Sequence, residues 1–203
     1  MELKSFFRIG FYKLNLKDYR KAIQSDEYAL STFRCGNGKL SRHEKKCIEY
    51  KAVKWYRLHE TNFDTIWRYV FAIPCHKYYK KYGIEIYANR NIGKGMVIGH
   101  WGRIVISGEA VIGDQLMITH NVTIGRDIRG KRKGAPIIGN RVAIRTNSTV
   151  VGKIVIGDDV VIAPNTFVNF DVPSHSIVVG NPAKIISREN ASDGHVGKLP
   201  QTE

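Results

Sequence analysis

Two histidines, His100 and His120, each follow an isoleucine by two positions, Ile98 and Ile118, and stand 20 residues apart. In a chain that repeats every 18 residues and takes up two extra ones in between, both imidazoles face the same side in successive layers. Two imidazoles stacked on a rigid outer surface can act as general base and hydrogen-bonding partner. A pair of merely solvent-exposed histidines has the same spacing. A metal site fits less well, because a catalytic zinc normally takes three protein ligands and no third His, Cys or suitable acid falls at matching phase.

The elements that must hold these rings show as a six-residue rhythm. An aliphatic residue recurs at Ile86, Ile92, Ile98 and Ile104, then at Ile106, Ile112, Ile118 and Ile124, and again at Ile138, Ile144, Val150, Ile156, Ile162 and Val168. A period of six matches neither a helix at 3.6 nor a strand at 2; it is the hexapeptide form of the β-helix repeat. Three hexads close one triangular coil, with the Ile inward and a small residue after many of them, as in Ile112-Gly113, to turn the corner. Coils stack at ordinary strand spacing, about 4.8 Å. An antiparallel sandwich would instead need alternation at period 2 and turns every 8–12 residues or so. The step at Ile104/Ile106 supplies the two extra residues between the histidines. A second slip, between Ile124 and Ile138, puts residues 125–137 outside the prism as a loop with five basic residues and one acidic one.

The front of the chain, residues 1–83, reads as an α-helical cap. Left bare, the first coil would present a row of unpaired backbone groups, and repeat arrays need capping units. A basic, aromatic stretch (Phe6, Phe7, Phe11, Tyr12) leads to a helix from Leu16 to Phe33. Ser41-Arg42-His43-Glu44 is a capping box that predicts a second helix running to about Glu60. A third is expected from Thr61 or Asn62 through Phe71, ended or kinked by Pro74, with a short basic helix from there through Lys80 to Gly83. The coils follow over 84–187. Residues 188–203 are polar and expected to be a mobile tail.

Net charge is +14, and residues 1–83 contribute +10 of it. A basic face attracts nucleic acid, anionic lipid or an acidic polymer, or is simply solvated. No nucleic-acid motif accompanies it; peripheral membrane contact through this segment is one expectation, and an acidic polymer or a solvated surface are the others. Cys35, Cys47 and Cys75 lack metal-type spacing and read as reduced thiols of a cytoplasmic protein. The N-terminus has no signal-peptide h-region, and no window approaches the length of a membrane span.

Residues 84–186 resemble the hexapeptide-repeat acetyltransferases. The resemblance is carried by Gly-Ile-Glu-Ile, Ile-Gly-Lys-Gly-Met-Val-Ile-Gly-His, Val-Thr-Ile-Gly, Ala-Pro-Ile-Ile-Gly and Val-Val-Gly-Asn-Pro-Ala-Lys-Ile. The nearest pattern is the serine acetyltransferase group, and within it the shorter capsule- and exopolysaccharide-type enzymes. The resemblance implies a mainly β fold, a left-handed parallel β-helix, that takes acetyl from acetyl-CoA without a metal. It implies a homotrimer with active sites at subunit interfaces. It also implies a Glu85–His100 dyad, with His100 as base and Glu85 orienting it, and His120 as a candidate donor to the oxyanion. Gly125, Thr146 and Ala163 would line the CoA slot. The charge of Arg126, Arg129, Lys131, Arg132 and Lys133 suits its phosphates or an acidic glycan, or the loop is simply solvated; Arg145, where relatives usually have Gly, would contact phosphate or narrow the slot.

Three places depart from the serine enzymes. Glu85 replaces an Asp, Gly99 replaces the Asp before the catalytic His, and Lys133-Gly134-Ala135-Pro136 replaces Asp-Arg-His-Pro. The last two changes remove partners for a small zwitterion, and a site built on hydrogen bonds loses much without them. With Trp101 and Arg103 beside His100 as candidate acceptor-binding residues, a saccharide hydroxyl is the expected acceptor. Trp101 packing between subunits is the competing reading. Serine O-acetylation for cysteine synthesis is the alternative, and a γ-carbonic-anhydrase-like metal-binding β-helix a remote one.

Overall fold

The computed structural model describes residues 13–87 and 91–201. The stretch with Phe6, Phe7, Phe11 and Tyr12, and Arg90, lie outside the described residues. Three helices come first, α1 (Leu16–Phe33), α2 (Ile48–Thr61) and α3 (Trp67–Tyr82). A parallel β-solenoid of five coils follows.

Each coil passes along three walls, on which its short strands or bridges stack. The first wall stacks Ile84–Ile86, Ile104–Ile106, Thr123–Gly125, Thr149–Val151 and Phe167–Val168. The second stacks Val111–Ile112, Ile137–Ile138 and Val155–Ile156, with bridges to Ile92 below and Val172 above. The third stacks Val97–Ile98, Met117–Ile118, Val142–Ile144, Val160–Ile162 and Ser176–Gly180, and ends in an antiparallel strand, Ala183–Ser187. The hexad residues from Ile92 to Val168 fill the interior and are buried; Ile86, at the helix end, is only partly so.

The corners explain the Ile-Gly-Asx pattern. The Asp114 carboxylate accepts from the Lys94 amide (2.8 Å), Asn140 Oδ1 accepts from the Asp114 amide (2.9 Å), and the Asp158 carboxylate accepts from the Asn140 amide. Each such side chain lies where a Cβ on the glycine of the coil before it would sit: a Cβ on Gly113 would be 2.6 Å from Asn140 Oδ1. Glycine is required here for close approach. At the corner between third and first walls, Asn121, Asn147 and Asn165 all take the left-handed conformation, which Asn tolerates better than most residues. Their amides hydrogen-bond to one another from coil to coil.

The helices cover the open first coil. Arg57, buried in α2, donates to the Ile92 and Gly93 carbonyls and pairs with Asp26 (2.7 Å) and Glu60 (2.9 Å). Asp26 in turn accepts from the Met96 amide (2.9 Å). α1 has the expected bounds, but two other expectations need correction. The capping box forms, with Ser41 and Glu44 bonding reciprocally, yet it closes a 3₁₀ turn at Glu44–Lys46. Cys47 is extended, and α2 begins at Ile48. The third helix starts at Trp67 and runs through Pro74 to Tyr82, ending at left-handed Gly83. Proline costs the bond to the Val70 carbonyl; Val70 is exposed, so water can replace it.

The C-terminal segment is the third correction. Its polar composition predicts a mobile tail, but it runs back along the corner between second and third walls. The buried Asp159 carboxylate accepts from the Ala191 amide, the Ser192 amide and the Ser192 hydroxyl, and lies 2.8 Å from His175 Nδ1. Further down, Arg141 pairs with Asp193, Gln115 donates to the Gly197 carbonyl, and the Lys198 amide donates to Thr32 Oγ1 of α1. The polar groups of 188–198 are a strap between the last coil and the cap.

Candidate active site

Ile98 pairs with Ile118 and Ile144 with Ile118, all on the third wall. Past each strand the chain turns toward the first wall. On the first such corner the path from Ile98 to Ile106 is two residues longer than the path from Ile118 to Ile124. The extra residues lie in the corner Gly99–Arg103. The bulge carries His100 and Trp101 into solvent and folds Gly102, at φ 135°, over His120. A Cβ on Gly102 would lie 3.1 Å from the Cβ of His120. The His100 and His120 rings meet edge to face with centroids 6.2 Å apart. The spacing argument therefore brings together the two side chains it named.

The same corner carries Thr146 and Ala163 in the next two coils. Thr146 Oγ1 shares a 3.1 Å hydrogen bond with Thr119 Oγ1, and both Thr146 and Ala163 are partly exposed. Arg145 turns toward the third wall instead, where its Nη1 contacts Met117 Sδ at 3.8 Å. Its charge reaches His195 of the strap, whose imidazole is held below its usual range first by burial and then by Arg145 and Arg188.

Glu85 does not join His100 within the chain. It stands mid-wall, paired in register with Val105, and its carboxylate accepts from the Tyr87 hydroxyl (2.6 Å). It lines a cavity of about 460 Å³ with His59, His76 and Tyr79. Among the described residues the Glu85 carboxylate has the Tyr87 hydroxyl as its hydrogen-bond partner and makes no hydrogen bond with His100.

The basic loop lies on a different corner, between first and second walls. Asp127 and Gly134 bond through both backbone groups, folding the loop into a tight hairpin. Arg126 is engaged by Glu109 rather than free, while Arg129, Lys131, Arg132 and Lys133 are exposed. Gly125 sits at the base of this hairpin. The proposed CoA residues are thus split, with Thr146 and Ala163 on the histidine corner and Gly125 and the loop across the first wall.

Trp101 is 47% exposed and its indole stacks edge-on against Tyr82 of α3, centroids 5.4 Å apart; Arg103 is exposed beside it. Reasoning from sequence missed Tyr82, which only the α3–coil junction places here. Gly99 is buried, and a Cβ there would meet Met117 Cε at 3.2 Å and Thr119 Cγ2 at 3.3 Å. Among the described residues no group of three metal-ligating side chains forms.

These coils and helices superpose on a solved enzyme from Neisseria gonorrhoeae, a serine acetyltransferase, with TM-score 0.73 at 24% identity, over 83% of this chain and 68% of that one. The fold is that of the serine acetyltransferases. A serine acetyltransferase solved in complex with CoA matches with TM-score 0.72 at 21% identity, over 83% of this chain and 70% of its own. In sequence, the chain is 41% identical over 107 residues to the serine acetyltransferase of Helicobacter pylori, which is 53% of this chain and 63% of that relative. The chain thus spans less than two thirds of that relative's length. No family model matches it.

Proposed function

We propose that this chain is an acetyl-CoA-dependent O-acetyltransferase with His100 as general base. The observation that carries the reading is the His100–His120 pair, edge to face on one outer corner of adjacent coils. His100 takes the proton of the acceptor hydroxyl as its oxygen attacks the thioester carbonyl. His120 or a backbone N–H stabilises the oxyanion. The intermediate collapses, the C–S bond breaks, and the imidazolium protonates the departing thiolate. A base of this kind contributes roughly 10²–10⁴-fold.

The relatives and solved neighbours are serine acetyltransferases, so serine is the acceptor they favour over the saccharide expected from the residues. The saccharide stands as a second reading on one observation. Gly99 is packed against Met117 and Thr119, which leaves little room for an acid where the serine enzymes carry one. Thiol release from acetyl-CoA, measured with serine and with a panel of saccharides, decides between them.

The split site supports an assembly of several copies. The loop and the histidines flank the first wall from opposite corners, so a loop that reaches a histidine pair belongs to another copy. A head-to-tail ring supplies that contact, in keeping with the trimer that the resemblance implies. Peripheral membrane contact and a cytoplasmic location stay part of this proposal, supported only by the basic front segment and the cysteine pattern.

A further inference from the structure

A groove of about 410 Å³ runs between α2 and α3, lined by Lys51, Lys54, Lys77 and Lys81 with Trp55 and Tyr82. Lys45, at its rim, is paired with Glu27; none of the other four lysines has a carboxylate partner among the described residues. Lys54 and Lys81 lie over the faces of Trp55 and Tyr82 at 5.9 and 5.3 Å. The groove has a direction. Tyr78 packs on Tyr82 (5.3 Å) and Tyr82 on Trp101 (5.4 Å), the residue after His100. The end of α3 is tied to the same corner by the Ile104 amide, which donates to the Gly83 carbonyl (2.8 Å).

We infer that this groove binds an acidic saccharide chain and leads one of its hydroxyls to His100. Four ammonium groups in one cleft, without carboxylate partners among the described residues, attract a repeated anion. Trp101, 47% exposed where the groove meets His100, offers aromatic surface to a sugar ring. The surface is concave, which fits a chain better than a flat bilayer. The arrangement also separates the two substrates, since Thr146 and Ala163 lie on the far side of His120 from α3, so donor and acceptor approach the pair from opposite ends. The purpose of the groove rests on the acetyl-transfer reading with a saccharide as acceptor; its binding does not.

The test is calorimetric titration of the full chain with polygalacturonate and with its carboxyl-reduced, neutral form. Expected is binding of the acidic chain that weakens with salt, weaker binding of the neutral chain, and about a tenfold loss in Lys54→Ala/Lys81→Ala, as two charge contacts are removed. Circular dichroism confirms that the variant is folded. No binding of the acidic chain, or equal binding by the variant, overturns the inference. So does retention on phosphatidylglycerol vesicles without glycan binding, which would assign the lysines to a membrane. Thiol release with serine in the same preparation keeps the two proposals apart. Glycan binding without thiol release from any acceptor upholds the groove and removes the acetyl-transfer reading. Thiol release without glycan binding does the reverse.

Discussion

Gly102 and His120 come from successive coils, yet a methyl group on the first would lie 3.1 Å from the Cβ of the second. The glycine is also at φ 135°, where other residues are strained. Gly102→Ala is therefore expected to displace His120 and to cost about 1 kcal/mol or more in stability. Acetyl transfer should fall by roughly tenfold or more, in keeping with the sensitivity of catalysis to small misplacements. Thiol release and a thermal melt on the same sample check both halves.

The strap should be sensitive to acid through Asp159. Burial alone would raise its carboxyl, but the Ser192 hydroxyl and amide, His175 and the Ala191 amide outweigh this and hold it well below the usual carboxylate range. With the folded value depressed, the linked stability is complete above the ordinary value of 3.8 and drains away as pH falls below it. Asp159→Ala should cost about 2–3 kcal/mol, from a buried site with several charge-assisted bonds. Protease cleavage within 188–198 should appear in that variant at neutral pH and in the natural chain only in acid.

The cap is predicted to depend on Arg57. Arg57→Ala leaves the buried Asp26 carboxylate without the guanidinium it pairs with, which costs about 3–5 kcal/mol. Lys45→Ala breaks only the exposed pair with Glu27 and should cost less than about 1 kcal/mol. Urea unfolding of the two variants gives the contrast.

Thiol chemistry should rank the cysteines. Cys35 is exposed, whereas burial pushes the Cys75 thiol up to about 12. Native labelling with an aromatic disulfide reagent should modify Cys35 rapidly and Cys75 only after unfolding, as read by peptide mass.

Much of this was legible in the sequence because the hexad rule is local and repeated. Each inward Ile states its own wall, and a slip of two residues shows in the count. The histidine stacking followed from that arithmetic, although the bulge lies at Gly99–Arg103 rather than at Ile104/Ile106. The Ser41–Glu44 box was legible as a motif but not as a helix start, since nothing local shows that Cys47 will be extended. The strap was hidden because its partners, Asp159, Arg141 and Gln115, are far away in sequence and its polar residues look like those of any solvated tail. Glu85 misled for the opposite reason. A separation of 15 residues is a family spacing, and spacing alone does not say which way a carboxylate turns.

The most direct test compares the natural chain with His100→Ala by release of free thiol from acetyl-CoA, serine and saccharides being offered in turn. The account predicts turnover by the natural chain with at least one acceptor, and a loss of roughly 10²-fold or more in a variant that keeps its fold and oligomeric mass. Full activity in His100→Ala would contradict it.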